Sequence, residues 1–169
     1  MGVKSLGYVV VATAQPDRWD HFLTQVAGVM RGADAADGAA HYRIDDRPFR
    51  FRIEHGGEER LIAAGYEVRE AEFERLLSAL PAAGRPLEVT TSEQAALRGV
   101  ARLLRTSDPA GVGLEFFCGD TRDDVAFRSP VGVPGFVTGE MGMGHAVFSA
   151  PNFAEVHNFY RDVIGFHDT

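Results

Sequence analysis

Six histidines, one cysteine and a scatter of carboxylates are the side chains of this 169-residue sequence suited to holding a metal or moving protons. One histidine stands apart. His145 closes the run Gly139-Glu140-Met141-Gly142-Met143-Gly144 and opens the apolar stretch Ala146-Val147-Phe148. Read as a strand, His145, Val147 and Ser149 share one face, while Ala146 and Phe148 share the other. By periodicity alone, His145 is a strand-start residue satisfied by ordinary hydrogen bonds. A neutral imidazole is also the commonest metal ligand, so the ligand reading stands beside that one.

The other candidates are weaker. His157 falls one helical turn after Phe153, near a packing face, and His167 follows the end of that helix. His21 lies on the polar side of a first helix, and His41 and His55 lie in or beside strands. No His-x3-His pair suits zinc. Cys118 has no cysteine partner and reads as a small buried residue at a strand end. The glycines of Gly139–Gly144 precede a strand rather than join a strand to a helix, which is the wrong context for a dinucleotide loop. Glu140 within them reads as a connector residue rather than an acid or base.

The elements that must position these residues follow a repeating order. "SLGYVVVAT" (5–13) is apolar and β-rich and reads as a first strand rather than a leader. Pro16 opens a helix through Val26, with Trp19, Phe22, Leu23 and Val26 at helical spacing and Gly28 after its end. "AAHYRID" and "RPFRFRIEHG" alternate as two strands around a turn at Asp45-Asp46. The order then restarts. "LIAAGYEV" is a strand, and "EAEFERLLSAL" is a helix with Phe73, Leu76, Leu77 and Leu80 on one stripe, stopped by Pro81 and Gly84. "GVARLLRTSDP" and "VGLEFFCG" are strands separated by the turn Asp108-Pro109-Ala110-Gly111. Residues 120–141, with Pro130, Pro134 and several glycines, form a connector.

A second repeat has a longer period. Leu6–Val11 lies over Met143–Phe148 without a gap, at an offset of 137 residues. The helices keep step: Phe22 lies over Phe159, Val26 over Val163 and Gly28 over Gly165. Such agreement reads as the first strand and helix of a second copy of the domain.

These residues carry a family resemblance across the whole chain. "SLGYVVVAT", "LIAAGYEV", "DPAGVGLEFFCG" and above all "FVTGEMGMGHAVFSAPNFAEVHNFYRDVIGF" resemble the two-domain type I extradiol catechol dioxygenases, in particular those cleaving 2,3-dihydroxybiphenyl and the related catecholic steroid ring. The resemblance implies an α+β fold of paired βαβββ modules, the vicinal oxygen chelate fold. It implies a non-catalytic N-terminal domain over 1–119, the connector over 120–141, and the truncated start of the catalytic domain over 142–169. It implies insertion of both atoms of O2 into a catecholic aromatic with Fe(II), or less often Mn(II), held by two histidines and one carboxylate. His145 matches the first histidine of that triad, and Val147 would border the bound ring. No residue of the chain matches a catalytic position beyond the metal ligand.

The repeat bears on the first domain. Tyr8 occupies the position of His145, Tyr66 is the matching residue of "AAGYEV", and only Glu115 keeps a ligand-type side chain. Phenols with ordinary pKa values near 10 replace imidazole poorly, so the first domain is expected to be a structural partner. The same offset puts the ligands answering to Tyr66 and Glu115 past Thr169. Completion of the site by another chain, or by a domain-swapped dimer, is a further possibility.

Composition excludes other classes. Seventeen basic against 24 acidic residues leave a net charge of −7, with no basic cluster. Neither nucleic acid nor an anionic membrane surface is an expected partner. No run of about 18 apolar residues is present, and a single cysteine agrees with a cytoplasmic location. The resemblance implies a homo-oligomer. A different class of function stays open at this point: a non-catalytic protein holding a small aromatic ligand in the first domain's cleft, with Tyr8, Tyr66, Phe51 and Trp19 as aromatic surface.

Overall fold

The computed structural model describes residues 2–167. Eight strands form one mixed sheet: β1 (Val3–Thr13), β2 (Met30–Arg31), β3 (Ala40–Arg43), β4 (Phe51–His55), β5 (Arg60–Val68), β6 (Glu88–Val89), β7 (Val100–Ser107) and β8 (Gly113–Asp120). Their order is β2-β3-β4-β1-β5-β8-β7-β6. β1 and β5 run antiparallel at the centre, and each pairs in parallel with the last strand of its own unit, β4 or β8. The sheet therefore consists of two βαβββ units joined back to back. β2 and β6 complete that pattern, and at two residues each they are too short to leave a periodic signal in the sequence.

The helices are α1 (Pro16–His21), α2 (Glu70–Ala82), α3 (Ser92–Ala96) and α4 (Phe153–Asn158). α2 buries Phe73, Leu76 and Leu80 completely. Its end departs from the sequence expectation. Pro81 lies inside the last turn, where its missing N–H costs one bond, and Gly84, at φ 68°, ends the helix. α3 had no sequence expectation, although its cap was legible. The Thr91 hydroxyl accepts from the Gln94 N–H at 3.3 Å and the Gln94 side chain returns a bond to Thr91 N–H at 2.9 Å, a capping box.

α1 runs directly into a π-helical turn, Phe22–Val26. The expected stripe of Trp19, Phe22, Leu23 and Val26 does not face the sheet as a unit. Leu23 is buried against Val11, Val29, Tyr42 and Ile53, while Phe22 and Val26 stand 51% and 65% exposed. The wider π turn advances each side chain by less than the α-helical angle and so separates residues that a 3.6 period would superpose.

The long repeat is reproduced in backbone geometry. α4 also runs into a π turn, Phe159–Ile164, so α1 and α4 begin, and change to π geometry, at positions 137 apart. Val29 N–H donates to the Leu23 carbonyl at 2.8 Å, and Phe166 N–H to the Tyr160 carbonyl at 2.9 Å, at the same offset. Gly28 and Gly165 close the turns at φ 73° and 88°, a conformation costly for a residue with a Cβ.

The strand expected around His145 does not form. Met143 N–H reaches the Leu6 carbonyl at 3.0 Å and Gly142 makes one parallel bridge to Leu6, but residues 144–150 lie in no strand. A strand needs a neighbour for its backbone groups, and none runs beside this segment among the described residues.

Candidate functional site

Strand alternation sends successive side chains of β5 and β8 to opposite faces. Ala64, Tyr66, Phe116 and Cys118 join the cluster under α2, and Ala63 and Phe117 join Tyr8, Val10, Phe49 and Leu103 on the other face. The candidate residues fall on both sides of this division.

The segment bearing His145 lies along the α2 face. Ala146 and Phe148 pack against the cluster that includes Phe159 and Ile164, while His145 is exposed and Val147 is 84% exposed. The two-sided alternation expected of these residues is thus present without a sheet. His145 opens onto a cleft of about 230 Å³ whose wall includes Leu6, Tyr66, Met141 and Phe166. Burial, then the Asp108 charge, pushes the Tyr66 phenol up to about 12. Tyr160, whose hydroxyl donates to Asp108 Oδ2 at 3.2 Å, is raised further by the same burial. Among the described residues, no group of three or more His, Cys, Asp or Glu side chains gathers to hold a metal.

The other face carries Tyr8 and Glu115, two of the residues expected from the repeat to answer to metal ligands. Tyr8 Oη donates to Glu115 Oε2 at 2.6 Å. Arg98 spans both carboxylate oxygens, Nε to Oε2 at 3.0 Å and Nη2 to Oε1 at 3.2 Å, and Arg105 Nε donates to Oε1 at 3.0 Å. A guanidinium thus neutralises the carboxylate. Burial alone would raise the Glu115 pKa; the charge of Arg98 and the bonds from Arg98, Tyr8 and Arg105 outweigh it and hold the carboxyl below its usual range. Tyr8 is pushed well above the usual phenol value, by burial first and by Glu115 second. It is a neutral donor and cannot act as a phenolate ligand at neutral pH.

Tyr66 does not belong with Tyr8. Leu6 pairs with Tyr66, but Tyr8 pairs with Gly65, because β1 carries a bulge between Leu6 and Tyr8. Two residues of β1 then answer to one of β5, and a one-residue difference changes the face. The residue level with Tyr8 is Gly65, where a Cβ would lie 2.2 Å from the Tyr8 ring. The Gly-Tyr pair shared by "LGYVVV" and "AAGYEV" carries no sign of that bulge.

Paired charges and buried side chains occupy much of the Tyr8 face of the sheet, beside a cleft of about 460 Å³ lined by Arg98, Arg105 and Glu115. α3 brings Ala95 and Arg98 over the sheet, and Glu67 is held by Arg47, Lys4 and Ser5. Arg52, 1% exposed, bonds Asp37, Glu54 and His41. Burial first, and Arg52 second, lower the His41 pKa to about 4. Tyr8 and Tyr66 are buried and Phe51 is half-buried, so the aromatic surface considered for a ligand is core. Trp19 lines a surface groove, and Tyr66 reaches only the small cleft beside His145.

The remaining candidates have structural places. His21 and His55 are exposed at element ends, and His167 is exposed after the π turn. His157 stacks on Phe153 with centroids 5.6 Å apart. Glu140 is exposed in a 3-10 turn, Gly139–Met141. Cys118 is buried beside Glu70 Oε2 at 2.9 Å, and burial lifts its thiol to about 12. No helix of the described residues is long and apolar enough to cross a membrane.

Residues 6–56 match the family model described as dihydroxybiphenyl dioxygenase BphC D1. Over 168 residues the chain is 36% identical to biphenyl-2,3-diol 1,2-dioxygenase of Paraburkholderia xenovorans (strain LB400), covering 98% of this chain and 56% of that protein. It is 35% identical to the iron-dependent extradiol dioxygenase of Rhodococcus jostii (strain RHA1), covering 98% and 55%. The crystal structure of BphC, a halotolerant catechol dioxygenase, superposes with a TM-score of 0.93 at 30% identity, covering 98% and 56%. The chain spans about half the length of the curated relatives it matches.

Proposed function

We propose, because this chain is related in sequence and fold to the type I extradiol ring-cleavage dioxygenases, that it is the N-terminal part of an enzyme opening a catecholic aromatic beside its hydroxyls. 2,3-Dihydroxybiphenyl or a related diol is the substrate class, and both atoms of O2 enter the product. In this reading residues 1–119 are a non-catalytic domain, 120–141 a connector and 142–169 the start of the catalytic domain. His145 is one ligand of Fe(II), Val147 borders the substrate ring, and the whole enzyme is a cytoplasmic homo-oligomer.

The observation that carries the reading is the state of the His145 segment. Its apolar side is anchored on the first domain through Ala146 and Phe148, while His145 and Val147 project from the free side. An exposed imidazole beside an exposed valine suits a site completed by further strands. At this cleft the described residues supply a single imidazole and do not by themselves compose an iron centre. Two groups of the first domain support its structural role: the Tyr8 phenol is neutral, and the Glu115 carboxylate is already paired with arginine.

The test is made on the intact polypeptide of the same reading frame, loaded with Fe(II) without air. Ring-opened yellow product from 2,3-dihydroxybiphenyl is expected, and His145→Ala is expected to lose bound iron without lowering the melting temperature of the first domain. Absence of product from the iron-loaded protein, or full iron retention in H145A, would refute the assignment.

A further inference from the structure

We infer that the outward face of α1 and its π turn, formed by Trp19, Phe22 and Val26, is a docking surface for an amphipathic helix of a second βαβββ pair. That helix stands to α1 as α2 stands to α4. The inference rests on the reading of the chain as one part of a two-domain enzyme.

The repeat supplies the argument. α1 and α4 share their start, their change to π geometry and their closing hydrogen bond at one offset. Their outward residues are of the same kind, Phe22 answering to Phe159 and Val26 to Val163. Their environments differ. Phe159 is 5% exposed in a cluster with Phe73, Leu76 and Leu80 of α2, and Val163 packs against the same cluster. Arg75 of α2 closes that contact by donating to the carbonyls of Val163 at 2.8 Å and Ile164 at 3.2 Å. A cation at helix-end carbonyls is favourable.

The α1 face has the same apolar residues with no such helix on it among the described residues. Phe22 is 51% and Val26 65% exposed, and a groove of about 450 Å³ lies beside Phe22, between Arg18, Trp19 and Glu59. Single exposed apolar residues need no explanation. An outward pair whose counterparts are buried against a helix in this same chain does. The geometry fits a helix with apolar residues spaced as Phe73, Leu76 and Leu80, carrying a guanidinium that reaches the carbonyls of Val26 and Ala27. Two such contacts, α4 on α2 and α1 on its partner, relate the two domains by an approximate two-fold axis.

Maleimide labelling of Val26→Cys tests this, with Val89→Cys (57% exposed in the wild type) as an open reference. In the 169-residue chain both should react fast. In the intact enzyme V26C should slow by at least about tenfold, as for a site reached only through local opening, while V89C stays fast. An intact enzyme that holds iron and opens its substrate but labels equally fast at V26C overturns the docking surface and leaves the proposed activity standing. Protection of V26C without iron or turnover does the reverse. A reading frame that stops at Thr169 overturns both. Phe22→Ser in the 169-residue chain should leave the melting temperature unchanged; a loss like that of a core substitution overturns the inference, as does a dimer of that chain abolished by Val26→Lys.

Discussion

Replacing Glu115 by glutamine tests the account of the first domain most directly. The substitution keeps the shape and removes the charge that Arg98, Arg105 and Tyr8 converge on. Arg98 is 7% exposed, and its other carboxylate, Glu54, is 3.5 Å away and 30% exposed. Removing one partner of a buried pair costs about 3–5 kcal/mol, since the remaining charge stays desolvated. Glutamine still accepts one bond, so about 3 kcal/mol is expected, and at about 2–4 °C per kcal/mol for a domain of this size the melting temperature should fall by about 6–12 °C. Urea unfolding at pH 7 measures the loss. The sign with pH is fixed by the lowered folded pKa of Glu115. Its contribution is complete above the unfolded carboxyl value and is lost as pH falls through the folded value. E115Q should therefore lose least, relative to wild type, in acid. Replacing Arg98 and Glu115 together by methionine should recover part of the loss, because no buried guanidinium is left unpaired, while the Tyr8 hydroxyl and Arg105 still lose their acceptor. A cost for E115Q below about 1 kcal/mol, the range of exposed ion pairs, would refute the claim that a guanidinium neutralises a buried carboxylate here.

Three further outcomes are expected. Gly65→Ala should destabilise by about 1–3 kcal/mol in urea, because its Cβ meets the Tyr8 ring at 2.2 Å, and Tyr8→Phe should not relieve a contact made by ring carbons. Cys118, buried and raised to about 12, should resist a thiol reagent at pH 8 in the native chain and react fully in denaturant. The His41 pKa is lowered to about 4, so its contribution is present above the unfolded value near 6.5 and declines as pH falls toward 4. His41→Gln should flatten the stability–pH curve across that interval.

Much of the fold was legible because its signals are local. Alternation marked β3 and β4, an apolar β-rich run marked β1, and strands were expected at β5, β7 and β8. The Phe73-Leu76-Leu80 stripe marked α2, and the gapless offset of 137 paired α1 with α4. The edge strands β2 and β6 left no such signal, being two residues each. α3 did leave one, in Thr91 and Gln94, and it proved the element that brings Arg98 to Glu115.

The His145 motif, its place after the connector and the two-sided character of Ala146 to Phe148 follow from residue order alone. The repeat, together with the family resemblance, also led Tyr8 and Glu115 to be expected at positions answering to the proposed metal ligands. Tertiary structure decided the rest. A bulge between Leu6 and Tyr8 moved Tyr66 to the opposite face from Tyr8, since facing depends on a register that only strand pairing sets. It also decided that the His145 segment is not a strand among the described residues, because a ladder of hydrogen bonds exists only where a second strand supplies the other half.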